Sequence, residues 1–196
     1  MENPQAESAL NSGTGNMITS NSFSQYPDAF LSAKPADSEE VWIKLFGRYD
    51  KKRVCRWVKQ KYVIDNEYIN AYNVLIPESN NSGALGERLT SPLRCDKMEG
   101  STDTFISIGT FDGEYEANAC IKYIKTKFVR ALLGSLKVTQ HNPKDTWKNV
   151  PMQDFASDRD IDWSLDVDGI DDRLFDMYGL SDDEKKFIRE KIKPMA

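Results

Sequence analysis

Apolar and polar positions divide the chain into a strand-like first half and a helix-like second half. Residues 41–46 (VWIKLF) are rich in β-branched and aromatic side chains and predict a strand. Residues 47–52 read as a turn, and 54–63 (VCRWVKQKYV) as a strand or a short helix. A further apolar run over 68–76 stops at Pro77. Residues 78–92 form a polar stretch of Gly, Ser and Asn, long enough that such loops are usually functional or disordered. Residues 105–111 (FISIGTF) alternate and predict another strand.

The strongest helix signal follows Asp112 and Gly113. Glu114 and Glu116 fall in the first turn, where the helix dipole favours acids. Ala117, Cys120, Ile121, Ile124, Phe128, Leu132 and Leu136 follow a helical period. The helix is expected to run to about Leu133 and to break near Gly134. Residues 152–155 read as a short extended piece after Pro151. Residues 170–178 read as a short helix closed by Gly179. Ser181 and Glu184 frame a capping box that opens a last helix to about Ile192, with Pro194 beyond it. Residues 1–24 carry Ser, Asn, Gly and Gln without an apolar period and are expected to be a flexible leader. The expected fold is α+β: a mixed, mainly antiparallel sheet packed by one long helix, with a C-terminal helical pair. One domain is expected over 25–196: strand-rich 41–111, helix 114–135 and an acidic helical part over 154–193.

Composition changes the picture only in part. The hydrophobic share is 39%, enough for a core, and the 11% of aromatic residues is more than disordered chains carry. No apolar run is long enough to span a membrane, and residues 1–17 have neither the basic nor the apolar region of a signal peptide. Cys55, Cys95 and Cys120 are odd in number and far apart, so the expectation is a cytoplasmic protein with neither disulfides nor zinc.

The net charge of −5 argues against a nucleic-acid binder until the charges are placed. Over 41–62, eight bases face one acid: Lys44, Arg48, Lys51, Lys52, Arg53, Arg56, Lys59 and Lys61 against Asp50. Over 120–148, seven bases face one acid: Lys122, Lys125, Lys127, Arg130, Lys137, Lys144 and Lys148 against Asp145. Over 154–184, twelve acids face Arg159 and Arg173. The acidic third therefore hides two basic blocks. Trp42, Phe46, Tyr49, Trp57 and Tyr62 interleave with the first block, as phosphate- and base-contacting surfaces require, although a solvated strand face has the same composition.

No catalytic constellation is visible. His141 is the only histidine and lies in a polar loop. With Gly169 placed at the glycine position of a calcium loop, Ser164 and Phe175 fall where acids are needed. The acid/D-x-K nuclease pattern, the methyltransferase N/D-P-P-Y/F/W tetrapeptide and the phosphate-loop glycine fingerprints are all missing.

Several local patterns do form a set. They are Glu116-Ala117, Tyr123, Thr126-Lys127-Phe128, Arg130, Leu133, Lys137, Thr139-Gln140, Val150-Pro151, Asp154-Phe155, Ile170-Asp171, Leu174, Tyr178-Gly179-Leu180 and Glu184, with NVLIPES upstream. This set resembles the C-terminal region of type II restriction-modification enzymes that carry an N6-adenine DNA methyltransferase, over about residues 68–193. The resemblance implies a target-recognition region that reads a short duplex sequence for a methylase or nuclease domain or subunit. S-adenosylmethionine and Mg are then expected in the rest of the enzyme, with no cofactor or metal in this chain. The side chains suited to such contacts are Arg48, Lys51, Lys52, Arg53, Arg56, Lys59, Asn80, Asn81, Arg88, Lys122, Lys125, Lys127, Arg130, Lys137, Gln140 and Lys144. Phe128, Leu133 and Tyr178 are expected in the core. Two rivals stand beside this reading: a Mg-dependent restriction nuclease using the carboxylates of 154–172, and an acidic protein-interaction module.

Overall fold

The structure, a computed structural model, describes residues 18–19, 21–63, 67–79, 84–136 and 144–195, without the side chains of Leu136, Lys144 and Asp145. The first elements are α1 (Ser22–Gln25), β1 (Trp42–Tyr49), β2 (Lys52–Lys59), α2 (Glu67–Asn70), β3 (Tyr72–Pro77), β4 (Leu93–Cys95), β5 (Glu99–Ser101) and β6 (Phe105–Phe111). Then come α3 (Glu114–Lys125), α4 (Lys127–Leu136), α5 (Lys144–Trp147), α6 (Val167–Met177) and α7 (Asp182–Lys191). The class is α+β. One three-stranded sheet has the order β2-β1-β5, the other β4-β3-β6. The first is mixed, because β1 pairs antiparallel with β2 and parallel with β5. The chain forms two compact units: Met1–Leu75 with Cys95–Thr110, and Ile76–Arg94 with Phe111–Ala196.

In the first unit, strand alternation decides what is buried. Ile43, Leu45 and Val58 share one face of the hairpin and are almost fully buried with Phe23, Phe30, Tyr62 and Ile69. Ile18 and Phe23 belong to this core, so the last residues of the expected leader are built into the fold. The expected turn over 47–52 is shorter than its composition suggests. Gly47 is an interior residue of β1, and a Cβ there would lie 2.6 Å from the Phe23 ring and 2.9 Å from Thr102. The glycine answers a close approach, not a bend. The bend is Asp50-Lys51, with φ of 48° and 60°, the doubly positive geometry of a two-residue hairpin loop. The run over 54–63 resolves as strand to Lys59 and then a 3-10 turn, Gln60–Tyr62.

In the second unit, the expected single helix is two. Thr126 leaves helical geometry at ψ 151°, and its hydroxyl accepts from the Val129 amide at 3.2 Å. The Asp171 carboxylate accepts from the amides of Lys127 (2.7 Å) and Phe128 (2.8 Å), so it caps the N-terminus of α4. Arg130 Nε donates to the carbonyls of Lys125 and Thr126, at the C-terminus of α3. An acid and a base thus satisfy the two open ends. The expected break at Gly134 does not occur, since α4 runs to Leu136. Gly134 instead leaves room for Leu85, whose Cδ1 would be 2.6 Å from an added Cβ.

Phe155 centres an aromatic cluster, with ring centroids 5.7 Å from Phe111, 5.7 Å from Tyr123 and 4.9 Å from Trp163. Phe128 and Leu133 are buried as expected. Tyr178 is not: it is 42% exposed and rests on the Phe128 ring at 4.7 Å. The C-terminal pair matches its local signals. Gly179 has φ 65°, and the amides of Gly179 and Leu180 return to Asp176 and Phe175, closing α6. Ser181 and Glu184 form the reciprocal capping box of α7. No helix among the described residues is long and apolar enough to cross a membrane.

Candidate nucleic-acid interface

The hairpin has two unlike faces. Opposite the buried face lie Trp42, Lys44, Phe46 and Arg48 from β1, with Arg53, Cys55, Trp57 and Lys59 from β2. Cations cover its rings: Lys44 Nζ is 4.8 Å from the Phe46 centroid, Lys59 is 6.0 Å from Trp42, and Lys34 is 5.8 Å from Trp57. Near the base of the hairpin these charges are neutralised. Lys44 pairs with Glu99 of β5 at 2.7 Å, and Lys59 pairs with Glu40 at 2.8 Å. The bond to Glu99 raises the Lys44 ammonium above its ordinary value despite partial burial.

The tip differs. Residues 48–53 are all exposed. Arg48, Lys51, Lys52 and Arg53 carry the charge there, and none of them is ion-paired with an acid among the described residues. Arg48 and Arg53 stand directly opposite each other, a like-charge pairing that destabilises a hairpin. Arg48 donates to the Lys51 carbonyl at 3.2 Å. Arg53 lies over the Phe105 ring, its guanidinium carbon 5.6 Å from the centroid. Burial, and then the neighbouring Arg48, lower the Arg53 guanidinium below its ordinary value. On the other face Arg56 lies over Tyr49 at 5.4 Å. The tip therefore holds four cations against the single acid Asp50 on a two-stranded support.

In the basic block of the second unit, Lys122, Lys127 and Arg130 are engaged within the same unit. Lys122 Nζ donates to the carbonyls of Trp163 (2.8 Å), Ser164 (3.2 Å) and Leu165 (2.9 Å). Arg130 is 3% exposed and also donates to the Lys193 carbonyl at 2.5 Å, and burial lowers its guanidinium to about 10. Lys127 lies 3.6 Å from Asp168, and Arg88 Nε donates to the Pro194 carbonyl at 2.9 Å. These contacts hold the four cations to their own unit, whereas at the hairpin tip no acid pairs with the basic side chains among the described residues. Lys125 is half-buried in the last turn of α3. Asn80, Asn81, Lys137 and Gln140 lie outside the described residues, as does the side chain of Lys144.

Several carboxylates of the acidic segment are bound within the unit. Asp154 and Asp162 accept from the amides of Ala156 and Ser164 two residues on, turns that Asp side chains favour. Asp158 accepts from the Trp163 amide and the Tyr115 hydroxyl. Asp166 caps α6 through the Gly169 amide, and Asp172 pairs with Arg189 at 2.6 Å. Among the described residues no group of three or more His, Cys, Asp or Glu side chains is placed to hold a metal ion. The three cysteines are free, and burial pushes the Cys95 thiol up to about 12.

The sequence pattern marked the hairpin cations but missed their surroundings: Glu99 and Glu40 beside the basal lysines, and Phe105 beneath Arg53. No family model, curated protein or solved structure matches the chain.

Proposed function

We propose that this chain is a duplex-DNA recognition module of a restriction-modification system, working in the cytoplasm beside a methyltransferase or nuclease domain or subunit and performing no chemistry itself. The observation that carries the reading is the exposed hairpin tip, where Arg48, Lys51, Lys52 and Arg53 face one acid, Asp50. A tip that existed only for solubility would gain from balanced signs; this one carries an excess of positive charge, as phosphate binding requires. The restriction-modification part rests on the sequence resemblance. S-adenosylmethionine and Mg are assigned to the partner domain or subunit.

The test is a mobility shift with duplex DNA at low salt. The wild-type chain is expected to bind, and a variant with Arg48, Lys51, Lys52 and Arg53 all replaced by alanine is expected to lose at least tenfold in affinity while keeping its circular dichroism. Equal binding by both proteins would remove the hairpin from the interface. Mg-dependent plasmid cleavage lost on replacing Asp160 and Asp162 would favour the nuclease reading instead.

A further inference from the structure

We propose that the β1–β2 hairpin enters the major groove of duplex DNA and that the cross-strand pair Arg48–Arg53 reads guanine there, leaving Lys51 and Lys52 to the phosphates. This rests on the duplex-binding reading above and adds the groove, the base and the division of labour.

Dimensions support it first. Two exposed residues on each strand, 48–49 and 52–53, at about 3.3 Å per residue, and the two-residue turn beyond them give a projection of roughly 7–10 Å. The major groove is about 8.5 Å deep and about 12 Å wide, and it admits a two-stranded ribbon. The minor groove, about 6 Å wide, does not. Nor does the deep, narrow major groove of an RNA duplex.

Placement supports it second. Arg48 and Arg53 are direct register partners on one face, so both guanidinium groups point to the same side of the ribbon. Two planar forks on one side suit the paired O6 and N7 acceptors of guanine. Phe105 beneath Arg53 limits that side chain's freedom before binding. Lys51 sits on the turn and Lys52 faces away from the arginine pair, where the groove walls, and hence the phosphates, would be. A compact ammonium on a flexible stem tolerates the variable geometry of phosphates better than a fork does.

Energetics supports it third. The like-charge pair opposes hairpin formation, and a left-handed lysine at Lys51 adds strain. The first penalty is offset when acceptors meet the two guanidinium groups. Among the described residues the pair is held only by the Arg48 bond to the Lys51 carbonyl and the Phe105 ring under Arg53, with no acid between the two guanidinium groups.

The experiment selects a preferred site from a randomised duplex pool with the full chain, then alters single guanines within it. Replacement by 7-deazaguanine removes N7 from the major groove; replacement by inosine removes the amino group from the minor groove. At one or two guanines, 7-deazaguanine is expected to weaken binding about 5- to 150-fold, while inosine has little effect. Arg48→Lys or Arg53→Lys is expected to erase that sensitivity, and duplex RNA is expected to compete poorly. Sensitivity to inosine but not to 7-deazaguanine would overturn the groove assignment and leave duplex binding standing. Duplex binding without any enriched sequence would overturn the arginine assignment alone. Absence of any duplex binding would overturn both this proposal and the reading on which it rests.

Discussion

A methyl group at Gly47 would meet the Phe23 ring at 2.6 Å and the Thr102 methyl at 2.9 Å. Gly47→Ala is therefore expected to destabilise the first unit by about 1–3 kcal/mol, the usual effect of overpacking, seen as a lower denaturant midpoint. An unchanged midpoint would mean that Phe23 moves aside freely. Composition could not separate this glycine from a turn glycine, because the partner ring is 24 residues away in the chain. Asp171 is a second residue whose role depends on distance. Burial raises its carboxyl to about 6, while the amides of Lys127 and Phe128 act against that rise. A carboxyl whose folded value lies above its unfolded value of 3.8 stabilises the fold most when protonated. That contribution is complete below about pH 4 and is lost as pH rises through about 6. Measured against Asp171→Asn, wild-type thermal stability is expected to fall across that interval and then level off. A constant difference from pH 4 to 7 would show that the carboxyl does not titrate there.

Elements were legible where their signals are local. The capping box Ser181–Glu184 and the terminal Gly179 each lie within a few residues of the helix end they fix, and both helices formed as expected. The long helix broke at Thr126 because its second cap comes from Asp171, which no periodicity in 114–136 reveals. The hairpin was legible as strands, but its turn was not, since Asp50-Lys51 lacks the glycine that a doubly positive loop favours. Replacing Lys51 with glycine is expected to stabilise the hairpin by about 1 kcal/mol, from relief of the left-handed strain. The same substitution is expected to weaken duplex binding. A variant that gains stability and keeps full affinity would show that the lysine has no part in binding.

At the scale of the whole molecule, the net charge of −5 is the sum of regions with different fates. The block over 41–62 carries an exposed tip, whose cations face outward, while Lys44 and Lys59 at the base pair with Glu99 and Glu40. In the block over 120–148, Lys122 and Arg130 are spent on carbonyls within the same unit, and Lys127 lies beside Asp168. Charge counting foresaw two candidate surfaces, but only burial and hydrogen bonding separate a charge that faces outward from one that holds the chain together. Tyr123, Thr126, Arg130 and Asp171 are buried framework in the same way. The most direct test of duplex binding by the hairpin is the salt dependence of its affinity. Each phosphate contact contributes about 0.9 to the slope of log affinity against log salt concentration. Replacing Lys51 and Lys52 together with alanine is expected to reduce the wild-type slope by about 2, with little change in the slope on replacing Lys122. An identical slope for wild type and the Lys51/Lys52 double variant would contradict the assignment of those lysines to DNA phosphates.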